Sequence, residues 1–277
     1  MSKIKVSEIF GPAVQGEGHW TGAPSIFLRT FGCNFECKGF GMPPGEASME
    51  RMEIDPSKYS RYEDLPLVHT GCDSYPSWDV RFKHLSPMMT VDEINLKMQS
   101  LLPGGHWGGM HLVITGGEPL LNWQKEYPEL IQLSRNNGLG YLTFETNGTK
   151  FVNDELVSYL YDNSDMDVTF SVSAKLSCSG ESRVDAIRPE VVAQYQNIGR
   201  TYLKFVVATE QDVQEVDEVM KVYRDYGFYG HVYLMPVGGT DQLYYLNRRR
   251  VAELALERGY YYSPRLQIDL FGNDWGR

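Results

Sequence analysis

The residues of this chain best suited to chemistry are three cysteines, Cys33, Cys37 and Cys72, each next to a glycine or an acidic residue. Thiolates bind iron and zinc, and an iron-sulfur cluster held by only three cysteines leaves one iron free to bind a substrate. With His69 as a fourth ligand, the same cysteines would instead form a closed zinc site, although Cys-x3-Cys matches zinc less well than Cys-x2-Cys. The cysteines alone therefore leave an open cluster and a zinc or inert thiol site as alternatives.

Segment 114–120, Ile-Thr-Gly-Gly-Glu-Pro-Leu, favours the open cluster. An apolar run ends there in Gly116, Gly117 and Glu118, and paired glycines after a strand let backbone groups approach a ligand closely. A lone Gly-Gly pair could be a simple turn. A strand that ends in Gly-Gly-Glu-Pro downstream of a cysteine loop is a much more specific combination, and it predicts that the two segments share one site.

Alternating strands and helices must position these motifs. Apolar runs and alternation predict strands at 5–10, 24–31, 111–115, 141–145, 167–173, 202–208, 231–235 and 265–270. Helical periodicity and capping signals predict helices at 90–102, 124–136, 153–162, 189–198, 209–226 and 240–258. Strands separated by single helices pair in parallel with right-handed crossovers, and about six such units fall short of the eight that close a barrel. We therefore expect an α/β fold, an incomplete (β/α)6-type barrel, with its ligands at the carboxyl ends of the strands.

Residues 38–71 interrupt this order between the second and third cysteines. They show no sustained periodicity, and a structureless loop of that length inside a compact domain is often a lid or a binding loop. Because both its ends adjoin candidate ligands, we hypothesise that this insertion is ordered, covers one side of the site and shields the cluster. A surface embellishment is equally compatible with the pattern.

Composition narrows the partners of the protein. At 277 residues and 42% hydrophobic, the chain can form one domain, 1–277, with a substantial core. A formal net charge of -10 argues against nucleic acid and favours a small-molecule partner. The sequence shows no signal-peptide apolar region and no apolar run of the ~20 residues that span a membrane. Few, clustered cysteines fit a reducing compartment, so we expect a cytoplasmic protein.

The cysteine loop and segment 114–120 together resemble the radical S-adenosylmethionine superfamily, which implies that the barrel is of that kind, with the insertion in its cluster loop. Within the superfamily, six segments resemble the 7-carboxy-7-deazaguanine synthase family: Gln-Gly-Glu-Gly at 15–18, Pro-Ser-Ile-Phe-Leu-Arg at 24–29, Gly-Cys-Asn at 32–34, Cys-Asp-Ser at 72–74, Thr-Gly-Gly-Glu-Pro at 115–119 and Glu-Thr-Asn-Gly-Thr at 145–149. They occur in the family's order. The family's usual loop is Cys-x3-Cys-x2-Cys, so the long spacing before Cys72 is a departure.

The resemblance implies a cofactor set. Cys33, Cys37 and Cys72 would bind a 4Fe-4S cluster whose free iron is chelated by S-adenosylmethionine, and reduction by a flavodoxin- or ferredoxin-like protein would cleave the sulfonium to a 5'-deoxyadenosyl radical. The implied S-adenosylmethionine ligands are Gly117, Glu145, Thr146, Asn147, Ser173, Ala174, Lys175 and Leu176. The family usually has proline where Ala174 stands.

The resemblance also implies the reaction, a radical ring contraction of 6-carboxy-5,6,7,8-tetrahydropterin to 7-carboxy-7-deazaguanine with loss of ammonia, in the queuosine or 7-deazapurine pathway. The implied substrate contacts are Val14, Gln15, Gly16, Arg29 and Thr115. Ser74 stands where the family has its Mg²⁺-binding threonine, and it keeps the hydroxyl ligand. A homodimer is expected by resemblance. We assign no site to residues 269–277, and we interpret Cys178 as an ordinary thiol.

Two other interpretations remain at this point. Another radical enzyme, such as an activase of glycyl-radical proteins, would share the cofactors, but the Gln-Gly-Glu-Gly segment and Arg29 argue against it. A non-enzymatic zinc or iron-sulfur module would have no use for the Thr-Gly-Gly-Glu-Pro segment.

Overall fold

A computed structural model describes residues 2–276 and contains one open, nine-stranded sheet in the order β3-β1-β2-β4-β5-β6-β7-β8-β9. The strands are β1 (Lys3–Val14), β2 (Pro24–Thr30), β3 (Met88–Thr90), β4 (His111–Gly116), β5 (Tyr141–Thr146), β6 (Asp167–Val172), β7 (Arg200–Val207), β8 (Val232–Pro236) and β9 (Tyr261–Tyr262). The helices are α1 (Val91–Leu101), α2 (Tyr127–Arg135), α3 (Asp154–Asp162), α4 (Arg183–Ala186), α5 (Pro189–Ile198), α6 (Glu210–Asp225), α7 (Asp241–Arg258) and α8 (Leu266–Phe271). β1 pairs antiparallel with β2 and β3, and all other pairs are parallel. The predicted α/β class is confirmed.

Alternation along the parallel strands separates an apolar face from a polar one. Leu28, Ile114, Phe144 and Phe170 are aligned across β2, β4, β5 and β6, and all four are fully buried in the main core cluster together with apolar residues of the helices. Because successive side chains point to opposite faces, the residue that follows each of these lies on the other face of the sheet. The hydrophobic side of each strand therefore fixes which polar residues face the site.

The element at 265–270 corrects the sequence-based prediction of a final strand. These residues alternate apolar and polar, as a strand does, but they form the helix α8, and the last strand is the short β9. Tertiary contacts fix the first turn of α8, because the Leu266 N–H donates to Gly16 O at 3.0 Å and Gln267 Nε2 donates to Glu17 Oε1 at 2.9 Å. Gly272, at φ 63°, ends the helix in the left-handed conformation. The short strand β3 was not predicted.

The capping box predicted for the first long helix is confirmed. Thr90 Oγ1 accepts from the Glu93 N–H at 3.2 Å, and Glu93 Oε2 accepts from the Thr90 N–H at 2.7 Å. These bonds satisfy donors that have no partner within a helix, so the start of α1 is set locally.

The insertion, residues 38–71, has little regular structure but is packed. It contains the short 3₁₀ helices Glu50–Glu53, Pro56–Lys58 and Tyr62–Asp64. The Glu50 carboxylate closes its base by accepting from the N–H groups of His69 and Thr70, both at 2.8 Å. Leu65 and Val68 of the insertion form a small second apolar cluster with Tyr75, Phe82 and Leu85, which follow it in the chain. Within residues 2–276, no helix is both long and apolar enough to cross a membrane.

Candidate active site

One cavity at the carboxyl ends of the parallel strands collects nearly all of the residues singled out from the motifs. Its lining includes Val14, Gln15, Gly16, Arg29, Cys33, Cys37, Cys72, Ser74, Thr115, Gly117, Glu145, Thr146, Asn147, Ser173 and Lys175. Ala174 and Leu176 are instead buried in the core cluster and do not line it. Sheet register explains the convergence, because Arg29 is aligned with Thr115, and Glu145 with Ser171, on the polar face.

The three predicted cluster ligands lie together on one wall of the cavity. Cys33, Cys37 and Cys72 pack with Phe35, Phe40 and Ala186 in an apolar cluster. Burial raises the pKa of the Cys33 thiol to about 12 and also raises those of Cys37 and Cys72. Three neighbouring thiols in an apolar surround suit an iron-sulfur cluster, whose potential depends on such a shell.

His69, the fourth ligand of the alternative zinc site, lines the same cavity, and its Nδ1 lies 2.8 Å from Thr240 Oγ1. Among residues 2–276, no group of three or more His, Cys, Asp or Glu side chains, the three cysteines included, is arranged to hold a single metal ion. An iron-sulfur cluster binds each thiolate through a different iron, so it does not require the three thiols to converge on one point.

The Glu181 side chain and the Glu118 backbone both hydrogen-bond to the cysteine loop. Glu181 Oε1 accepts from the N–H groups of Glu36 and Cys37, at 2.9 and 2.7 Å, and Cys37 has a left-handed φ of 48°. On the other side, the Glu118 N–H donates to Gly32 O at 2.7 Å. A Cβ on Gly117 would lie 2.4 Å from Gly32 O, so only glycine permits this approach. The Gly-Gly-Glu-Pro segment is thus packed directly against the cluster loop.

The Glu118 side chain links the ends of β4 and β5. It is almost fully buried, and its carboxylate accepts from Thr146 Oγ1 at 2.8 Å, the Asn147 N–H at 2.7 Å and the Leu120 N–H at 3.0 Å. Burial raises the pKa of Glu118, and these hydrogen bonds oppose that rise. Two of its three donors belong to the Glu-Thr-Asn-Gly-Thr segment, so this carboxylate orients residues predicted to meet the cofactor.

A buried ionic network in the cavity wall was not predicted. The Glu17 carboxylate contacts Lys204 Nζ and accepts from Arg265 Nε at 3.1 Å, while Arg265 Nη2 lies 2.6 Å from Asp73 Oδ2. Burial alone would raise the pKa of Glu17, but Lys204 and Arg265 outweigh it and hold that pKa well below its usual range. A lysine inside the apolar strand β7 was the available clue to Lys204. No such clue pointed to Arg265, because the alternation of residues 265–270 predicts a strand, whereas Arg265 lies buried at the start of α8.

Arg29 lies in the interior of the sheet, since β2 has strands on both sides. Its Nε is 3.3 Å from Glu8 Oε2, and both side chains are mostly buried. Burial raises the pKa of Glu8, and Arg29 opposes that rise. The cavity near this pair is also lined by residues 273–276, to which sequence analysis assigned no site.

Comparison with known proteins gives concordant results. A 7-carboxy-7-deazaguanine synthase of Halobacterium salinarum is 32% identical over 291 residues, covering 98% of this chain and 91% of the relative. A second, from Pyrobaculum aerophilum, is 29% identical over 277 residues, covering 99% and 98%. The crystal structure of QueE from Escherichia coli matches the fold with a TM-score of 0.56 and 21% identity, covering 94% of this chain and 93% of that one. No protein-family model matches the chain.

These findings define the class as radical S-adenosylmethionine lyases, enzymes that use an iron-sulfur cluster and S-adenosylmethionine. Because the identity to the Halobacterium salinarum relative extends over nearly the whole of both chains, the chain belongs to the 7-carboxy-7-deazaguanine synthase family. Of the interpretations left open by the sequence, family membership supports a 7-carboxy-7-deazaguanine synthase over a glycyl-radical activase or a non-enzymatic metal-binding module.

Proposed function

We propose that the protein converts 6-carboxy-5,6,7,8-tetrahydropterin to 7-carboxy-7-deazaguanine with loss of ammonia. The observation that carries the proposal is that the three clustered thiols and the buried Arg29 line the same cavity. A cofactor site and an anion site would therefore share one cavity, as a radical reaction on a carboxylated substrate requires.

Cys33, Cys37 and Cys72 would hold the 4Fe-4S cluster. When bound, the cluster and S-adenosylmethionine supply the radical that abstracts a hydrogen atom from the substrate. The side chains of Glu145, Thr146, Asn147, Ser173 and Lys175 line the cavity within reach of a ligand there, and Gly117 offers backbone. Ala174 and Leu176 would contribute through their backbone, because their side chains are buried in the core.

Substrate binding is assigned to residues of the β1–β2 end of the cavity. Arg29 would bind the substrate carboxylate, since a guanidinium offers paired donors of matching geometry. Val14, Gln15 and Gly16 would contact the pterin ring, with Thr115 on the far side. Gln15 Nε2 donates to Glu145 Oε1 at 3.0 Å, so this loop is tied to the cofactor side of the cavity.

Mg²⁺ is proposed to bind the Ser74 hydroxyl, which lines the cavity beside Cys72. The carboxylate of the preceding residue, Asp73, is paired with Arg265, whose Nη2 lies 2.6 Å from Asp73 Oδ2. Since Mg²⁺ usually keeps several waters, Ser74 would supply one ligand, and water with the substrate carboxylate would supply the others. The ion would neutralise charge on the substrate. In Ser74→Ala, we expect the Mg²⁺ concentration for half-maximal activity to rise, which a titration would measure.

The remaining assignments complete the proposal. The chain would act as a single domain with an incomplete barrel of the radical S-adenosylmethionine kind, as a cytoplasmic homodimer reduced by a flavodoxin- or ferredoxin-like protein. Its product would enter the queuosine or 7-deazapurine pathway.

The test is an anaerobic assay with reconstituted, reduced protein, S-adenosylmethionine and 6-carboxytetrahydropterin. We expect 5'-deoxyadenosine and 7-carboxy-7-deazaguanine, and the loss of both in Cys72→Ala. Cys178→Ala is the matched control, because that thiol does not line the cavity and should leave both products unchanged. Deoxyadenosine without the deazaguanine would mean that the enzyme acts on a different substrate. The absence of both products from iron-loaded protein would refute the proposed reaction.

A further inference from the structure

Residues 272–276 are here called the closing segment, and 273–276 line the cavity together with Glu8 and Arg29. The segment starts at the left-handed Gly272 and is fixed there by Asn273, whose Nδ2 donates to Gly239 O at 2.8 Å. At its far end, Gly276 packs against Glu8, since a Cβ added to Gly276 would lie 3.9 Å from Glu8 Oε1. Burial raises the pKa of Glu8, and the Gly276 N–H, like Arg29, opposes that rise. Glu8 is the partner of Arg29, so the closing segment contacts the proposed carboxylate site through one residue.

The insertion supplies the anchor of the closing segment. Trp275 Nε1 donates to Leu65 O at 2.8 Å, and its ring meets the ring of Tyr62 edge to face, with centroids 5.0 Å apart. Tyr62 and Leu65 are themselves buried, and Leu65 belongs to the small apolar cluster of the insertion. A short segment with glycine at both ends loses much conformational entropy when it is ordered, so an anchor of this kind is needed to keep it in place.

We propose that the insertion, residues 38–71, holds the closing segment against Glu8, and that Trp275 is the positioning residue through which it acts. When Arg29 directs its N–H donors to a bound carboxylate, its ion pair with Glu8 weakens. The Gly276 N–H then stabilises the Glu8 carboxylate in place of the lost interaction. A closing segment released from the insertion leaves Glu8 without this donor, and the site then binds the substrate carboxylate less tightly. The proposal rests on the proposed function for its substrate but not for its geometry.

The kinetic test compares variants of the reconstituted holoenzyme. In Trp275→Ala we expect the KM for 6-carboxytetrahydropterin to rise about tenfold, equivalent to about 1.4 kcal/mol, with kcat within about twofold of the original and KM for S-adenosylmethionine unchanged. Trp275→Phe keeps an aromatic ring but loses the indole N–H donor, so it should give an intermediate KM. Tyr161→Phe is the matched control, since it also removes one donor to a backbone carbonyl, that of Asn197 at 3.2 Å, outside the cavity.

A second variant tests the insertion itself. Replacing residues 54–67 by a short Gly-Ser linker removes Tyr62 and Leu65 but keeps Glu50 at the base of the insertion. Because both changes release the same segment, the double variant with Trp275→Ala should show no higher KM than either change alone. Circular dichroism and iron content report whether the trimmed protein is folded. Additive effects on KM, or equal effects of Trp275→Phe and Tyr161→Phe, would overturn the proposal.

Hydrogen exchange separates this inference from the proposed reaction. With no substrate present, the amides of residues 273–276 should exchange faster in Trp275→Ala and in the trimmed protein than in the original, and equally fast in Tyr161→Phe and the original. If the original protein makes no deazaguanine product, the proposed function fails while this comparison still stands. Unchanged exchange in Trp275→Ala would refute the anchoring role whatever the reaction.

Discussion

Replacing Glu17 by glutamine tests how the buried ionic network supports the site. The substitution keeps the size of the side chain and removes its charge. Lys204 then stays buried, with a side-chain exposure of 5%, without the carboxylate that pairs with it. Arg265 is less affected, because it retains Asp73 at 2.6 Å.

The size of the effect follows from the burial of that ammonium group. Removing one partner of a buried ion pair costs about 3–5 kcal/mol, since the other charge is left uncompensated. The glutamine oxygen still accepts one hydrogen bond, so we expect the lower end, about 3 kcal/mol. At about 2–4 °C per kcal/mol for chains of roughly this length, the melting temperature should fall by roughly 6–12 °C at pH 7.

The pH dependence has a definite sign. In the original protein, Glu17 raises the pKa of Lys204 above its unfolded value, so the contribution of Lys204 to stability is complete below about pH 10 and is lost above it. In Glu17→Gln, burial lowers that pKa, with Glu145 as the remaining carboxylate that opposes the shift. The unfolded state then binds more protons, and stability rises with pH. The deficit of Glu17→Gln should therefore narrow between about pH 7 and about pH 9.5.

Thermal unfolding followed by circular dichroism at the two pH values measures both effects. Glu253→Gln is the matched control, because its partners Arg249 and Arg250 are 90% and 46% exposed and both pairs should contribute little. Adding Lys204→Met to Glu17→Gln removes the unpaired charge and should recover much of the loss. A deficit that does not depend on pH, or no recovery in the double variant, would refute the reasoning.

Two further predictions concern the loop that carries the cysteines. Gly117→Ala places a Cβ 2.4 Å from a loop carbonyl oxygen, so reconstituted protein should hold less iron and bind S-adenosylmethionine more weakly; Gly140→Ala, with nothing within 4 Å of its added Cβ, should match the original in both iron analysis and ligand titration. Glu181→Ala removes the acceptor of two loop N–H groups, each such bond to a charged group contributing about 1.5–3 kcal/mol, so its iron content should also fall. Glu218→Ala, which loses only an exposed pair at 3.3 Å, is the control, and an equal iron loss in both variants would contradict this account.

One sequence-based prediction about the insertion, that it shields the cluster, is not tested by the contacts described above. If it shields the cluster, trimming it to the short family spacing should increase oxygen sensitivity, measured as the rate at which the cluster absorbance bleaches in air. Phe40, which packs against the apolar cluster that contains Cys37, is the residue of the insertion best placed for that role. Bleaching at an unchanged rate would refute shielding and leave the anchoring role untouched.

The sequence by itself determined the features that depend on neighbouring residues. The cysteine loop, the glycine pair at 116–117 and the capping box at Thr90 are local patterns, and the alternation of strands and helices follows from periodicity over a few residues. The convergence of the motifs that follow β2, β4 and β5 was predictable from parallel pairing, because the carboxyl ends of parallel strands lie together. The Gln-Gly-Glu-Gly segment is an exception, because it follows β1, whose Val14 pairs antiparallel with Pro24 at the amino end of β2.

Tertiary structure decided what depends on residues distant along the chain. Glu17 and Arg265 each resemble an ordinary surface charge when taken singly, and only the fold brings them and Lys204 within hydrogen-bonding distance. Segment 265–270 has the alternation of a strand, yet contacts with the loop at Gly16 and Glu17 make it a helix. The anchoring of Trp275 by the insertion has no local pattern either, because a carbonyl group at Leu65 looks like any other until the chain folds. Local propensity is weak compared with such long-range contacts, and for that reason they override it.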